Sequence, residues 1–122
     1  MCIRDRIEII SFNTRSKLIK LNAVLSSVKE LRNEISNAKD RLINSKRKTI
    51  LFIDEVHRFT SVQQDALLPS IENGTITFIG ATTENPFFAV NKALVSRSRI
   101  FTLLPLAEND LQKIIQLSLI HI

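Results

Sequence analysis

The segment Thr49-Ile50-Leu51-Phe52-Ile53-Asp54 places four consecutive apolar residues directly before a carboxylate, and a second acid, Glu55, follows at once. A strand with one face in water alternates apolar and polar residues. A β-branched and aromatic run without that alternation is expected when both faces are covered. The segment therefore predicts a buried parallel strand that presents two acids at its tip, and an α/β fold around it.

The rest of the chain supplies elements of the same kind. Leu18 to Leu21 is a short strand candidate flanked or interrupted by Lys17 and Lys20. Ser27 and Glu30 have capping-box spacing. Val28, Leu31, Ile35, Ala38 and Leu42 then recur every three or four residues, predicting a helix with one apolar stripe. A second helix is predicted from about Val62 to Glu72, capped by Thr60 or Ser61 and stopped by Asn73-Gly74, with Pro69 expected to kink or shorten it. Thr75 to Ala81 reads as another buried strand, Asn91 to Ser96 as a short helix, Ile100 to Leu103 as a fourth strand, and Glu108 to Leu119 as a final helix. Strands separated by helices favour a parallel sheet whose strand C-termini share one edge. Asp54, Glu55, Thr82 and Thr83 all fall on that edge, where open α/β sheets bind ligands.

Composition narrows the classes. The 122 residues, 44% hydrophobic and 24% charged, suit one domain, and no apolar run approaches the roughly 20 residues needed to span a bilayer. No membrane association is expected, and no signal-peptide pattern is found at the N-terminus, so the expected location is the cytoplasm. The single cysteine, Cys2, can form neither an internal disulfide nor a metal site. A net charge of +5 permits a nucleic-acid partner. The run Lys46-Arg47-Lys48 reads either as a solvated helix-to-strand junction or as a phosphate-contacting patch. Aromatic interleaving of the kind that stacks bases is not expected, because Trp and Tyr are absent and the seven Phe mostly sit in apolar, strand-like contexts.

At the strand tip the two acids can divide labour. A hard divalent cation that carries substrate phosphates takes one or two carboxylates plus waters, which Asp54 can supply. Glu55, pointing to the other side of the backbone by strand alternation, could orient and polarise an attacking water. An acid pair exposed in a loop or at a helix N-terminus would have the same sequence. His57 has no second His or Cys nearby with which to bind a metal, and reads as structural or interface-facing. Gln63, Gln64 and Asp65 read as polar residues opening a helix.

Four stretches carry a longer pattern: Ile53-Asp54-Glu55-Val56-His57-Arg58-Phe59, Gln63-Gln64-Asp65-Ala66-Leu67-Leu68-Pro69, Gly74-Thr75-Ile76-Thr77-Phe78-Ile79-Gly80-Ala81-Thr82-Thr83-Glu84-Asn85-Pro86 and Ser96-Arg97-Ser98-Arg99. In this order they resemble the replication-associated recombination protein A family, AAA+ ATPases related to clamp-loader subunits and to the RuvB branch-migration motor. The resemblance implies a partial P-loop NTPase fold, with ATP and Mg2+ as cofactors. It implies that Ile50 to Glu55 is the Walker B strand, that Asp54 serves magnesium through water, and that Glu55 is the catalytic base. Thr82 falls at the sensor 1 position, with Thr83 as fallback, and Arg97 matches an arginine finger that reaches the ATP of an adjacent subunit. Single-stranded or forked DNA, other copies of the chain and replication proteins are the partners the resemblance implies, and nucleoid association the implied location. A RuvB-like or clamp-loader-like motor and a non-catalytic assembly subunit are the alternatives.

The largest departure from the family pattern is an absence. A phosphate-binding G-x-x-x-x-G-K-S/T loop is absent, since the only glycines are Gly74 and Gly80 and neither precedes a lysine. The resemblance therefore implies a fragment, inactive alone, that lacks the P-loop strand and the C-terminal lid and leaves two strands unpaired. Residues 21–116 correspond to the partial ATPase core and residues 1–20 to a poorly matched segment. The ends, residues 1–6 and 117–122, resemble translated sequencing-adaptor sequence.

Overall fold

A computed structural model describes residues 3–104. Three strands, β1 (Lys17–Asn22), β2 (Thr49–Asp54) and β3 (Ile76–Gly80), form a parallel sheet in the order β1-β2-β3. Thr49 pairs with Lys17 on one side and Ile76 on the other, and Asp54 lies opposite Asn22. All five residues from Thr49 to Ile53 are buried, so both faces of β2 are covered, as the unbroken apolar run requires.

Helix α1 (Ile3–Asn13) touches β1 and buries Ile7 and Ser11. No helix was expected there. Its apolar residues Ile7, Ile9, Ile10 and Phe12 are crowded rather than spread in one stripe, which hides a helical period. Helix α2 (Val28–Ser45) begins at Ser27, whose hydroxyl accepts the Glu30 N–H at 3.2 Å, and buries Leu31 and Ala38. Helix α3 (Ser61–Glu72) begins at Thr60 with a reciprocal capping box to Gln63. It runs through Pro69 to Glu72, so the proline does not shorten it. Gly74 follows with φ of +78°, a left-handed conformation that glycine adopts without cost. Helices α2 and α3 pack on each other and on β3, enclosing a core of Leu31, Ala38, Leu51, Ile53, Val56, Phe59, Leu67 and Ile76.

Two short helices follow, α4 (Pro86–Ala89) and α5 (Lys92–Ser96). The expected fourth strand over 100–103 does not form. Among the described residues they have no ladder partner, and Phe101 and the neighbouring Leu104 are each 80% exposed. A strand exists only through hydrogen bonds to a neighbour, and among the described residues the outer edge of β3 has none beside it. The helix expected over 108–119 lies outside the described residues.

Candidate functional site

The acids and the threonine meet at the C-terminal edge of the sheet because the backbone binds the two strand ends together. The Ala81 N–H donates to the Ile53 carbonyl and the Val56 N–H to the Ala81 carbonyl, both at 3.0 Å. Asp54 and Glu55 are thus clasped beside Thr82. Asp54, the last residue of β2, accepts the Glu55 N–H on Oδ1 at 3.0 Å, and its Oδ2 pairs with Arg4 of α1 at 2.5 Å.

Glu55 departs from the expected geometry. Its φ of +53° puts it in the left-handed region at the head of a 3-10 turn, Val56–Arg58, so it is not a strand residue and alternation does not decide where its side chain goes. The carboxylate is 44% exposed and pairs with Arg58 at 3.4 Å.

Thr82 Oγ1 lies 2.8 Å from His57 Nδ1 and accepts the Glu84 N–H at 3.0 Å, whereas Thr83 is exposed. His57, only 11% exposed, has its Nε2 facing the Glu84 carboxylate at 3.8 Å. It ties the turn after the acids to the threonine.

The two glutamines do more than open a helix. Gln63 Nε2 donates to the Ser26 carbonyl at 3.0 Å while its Oε1 accepts the Thr60 N–H at 2.8 Å. Gln64 is 3% exposed; its Nε2 donates to the Phe59 carbonyl at 3.1 Å and its Oε1 accepts the Asn91 N–H at 2.7 Å. Together they fasten the loops after β1, β2 and α4 to the head of α3. Sequence reasoning missed this because glutamine near a helix start is ordinary, and only burial distinguishes these two.

Arg97 lies elsewhere. It follows α5 and bonds to Glu72, to the Ala93 carbonyl at 2.9 Å and to Ser96 Oγ at 3.3 Å. Asn91, at the start of α5, bonds to Asp65 near the head of α3, so the two helices run side by side. Glu72 ends α3 and leads into the start of β3, opposite Thr49, at the N-terminal edge of the sheet. About 18 Å of helix, at ~1.5 Å per residue, separates that end from the head of α3, which follows the turn after the acid pair. Arg97 therefore does not face Asp54, Glu55 and Thr82 of its own chain.

A family model described as ATPase family associated with various cellular activities (AAA) matches residues 5–106. Replication-associated recombination protein A of Escherichia coli (strain K12) is 50% identical over 108 residues, which cover 88% of this chain and 24% of that protein. Its Haemophilus influenzae counterpart is 49% identical, covering 89% and 24%. ATPase WRNIP1 of Dictyostelium discoideum is 45% identical, covering 92% and 13%. Among solved structures, a RuvB mutant of Thermotoga maritima shares the fold, with a TM-score of 0.65 at 24% identity over 93% of this chain and 39% of that one. The chain spans about a quarter of the length of the replication-associated relatives it matches. The parallel sheet, its acid-tipped central strand and these matches agree: the chain belongs to the AAA family of ATPases and is similar to replication-associated recombination protein A.

Proposed function

We propose that these residues form the metal- and water-handling half of an ATP-hydrolysing site, in a protein that acts on DNA during replication-associated recombination and works as an oligomer. The observation that carries the reading is the clasp holding Asp54 and Glu55 beside Thr82. Magnesium suits this donor set. It is commonly held by one or two carboxylates together with waters and substrate phosphates. Asp54 would hold the ion, and the ion would offset charge on the phosphates.

Glu55, partly exposed and fixed by an unusual backbone conformation, is the group to orient and deprotonate the attacking water. The Thr82 hydroxyl would position the terminal phosphate or that water. Arg97, far from its own pocket, would reach the nucleotide of a neighbouring copy and stabilise charge in the transition state. The phosphate cradle, which these residues do not contain, must come from chain outside them. Action on DNA is read from the name of the replication-associated recombination relatives, and assembly from the place of Arg97 away from its own acid pair.

The test is Glu55→Gln in the complete protein. Hydrolysis should fall by at least about 100-fold, the lower range for a general base, while ATP binding is retained. Equal turnover would remove Glu55 from the base role.

A further inference from the structure

A cationic cleft lies at the edge of the sheet opposite the acids. Two short connections build it. The turn after α1 carries Arg15, in the left-handed region at φ +55°, and leads into Lys17. The turn after α2 carries Lys46, also left-handed at φ +53°, then Arg47 and Lys48. The Lys17 N–H donates to the Lys48 carbonyl at 2.8 Å, which brings the two turns side by side. All five cations are exposed, and among the described residues none of them forms an ion pair.

Arg15, Lys17 and Arg47 line an open cleft of about 640 Å³ together with Phe12, whose ring is 82% exposed. Arg15 and Arg47 also border a second cavity, of about 430 Å³, with Lys46 and Lys48. The one acid in the larger cleft, Glu8, is paired with Lys20 at 2.5 Å. Phe52 and Phe78 lie in strands, whereas Phe12, on α1, stands in solvent among cations.

We propose that this cleft binds a single-stranded polynucleotide, with Arg15, Lys17, Lys46, Arg47 and Lys48 on successive phosphates and a base stacked on Phe12. Five unneutralised cations in two short turns repel one another, and a polyanion converts that repulsion into attraction. An exposed ring beside a cationic track is how proteins hold unpaired strands, because every base has a face to stack. A duplex hides those faces, so the exposed ring favours the single strand. The inference deepens the DNA-acting part of the proposed function and rests on it, but it is independent of hydrolysis.

The experiment is fluorescence anisotropy of the complete protein without nucleotide, using labelled oligothymidine longer than the roughly 4–16 nucleotides such sites occupy. With five phosphate contacts at about 0.7 ion each, log affinity should fall with log salt at a slope of about −3.5. The triple variant Lys46→Ala, Arg47→Ala, Lys48→Ala should flatten this by about 2. Phe12→Ala should weaken binding between about five- and 150-fold, and an abasic oligonucleotide should bind the unaltered protein as weakly. All four positions are exposed, so the variants retain the fold, and Glu55→Gln should bind like the unaltered protein. Binding by the unaltered protein that the triple variant reproduces overturns this surface while leaving action on DNA intact. Duplex bound as tightly as the single strand, with no effect of Phe12→Ala, overturns the stacking. No binding by the unaltered protein overturns both.

Discussion

The backbone at Glu55 makes a prediction that ordinary strand or helix geometry would reverse. A side chain in the left-handed region costs roughly 1–2 kcal/mol from the clash of its Cβ with the following carbonyl. Glu55, at φ +53° and ψ +47°, carries that cost. Glycine escapes it but loses about 0.5–1 kcal/mol through the freedom it has when unfolded. Glu55→Gly should therefore be more stable than Glu55→Ala by about 0.75 kcal/mol, the midpoint of the roughly 0–1.5 kcal/mol that the two terms allow. Loss of the Arg58 pair, common to both variants and half exposed, adds at most about 1 kcal/mol to each. Urea unfolding of the variants in parallel reads the difference as a shift in midpoint at shared slope, while both should lose hydrolysis. An alanine variant as stable as the glycine variant, or more so, would refute the idea that Glu55 is held in a strained conformation for what its carboxylate does.

Two further outcomes follow from the same geometry. Gln64→Leu leaves the buried Phe59 carbonyl and Asn91 N–H without their partners, so a loss of roughly 1–3 kcal/mol per unpaired group is expected in a melt; Gln63→Leu, at a more accessible position, should cost less. Mixing Arg97→Ala subunits with Glu55→Gln subunits should restore part of the ATPase activity that each lacks alone, since Arg97 is remote from its own acid pair. Steady-state turnover across mixing ratios checks this, and no recovery at any ratio would make Arg97 a partner of Glu72 and nothing more.

What was legible in the sequence depended on whether a signal was local. Thr49 to Asp54 announced its strand because burial on both faces leaves no polar residue in the run, and its bounds emerge unchanged. The start of α2 was readable from Ser27 and that of α3 to within Thr60 or Ser61, of which Thr60 is the cap, since a cap is a contact between residues three apart. The meeting of the acid pair with Thr82 followed from parallel topology, which puts all strand C-termini on one edge. What failed was non-local or conformational. A strand over 100–103 needed a neighbour, and apolar content alone could not supply one. The left-handed turn at Glu55 is invisible because glutamate has no preference for it. The cationic cleft required two turns, separated by α2 and β1, to be brought together by one hydrogen bond between Lys17 and Lys48.

The outer margin of β3 has a consequence for how copies of this chain behave in solution. From Ile76 to Gly80 its amides and carbonyls have ladder partners in β2 on one side, and among the described residues no ladder forms on the other. Such a margin is a template for a further strand. Preparations of this chain should therefore grow in mean mass as they are concentrated, and a short β-branched peptide added in excess should compete for the margin and reverse that growth.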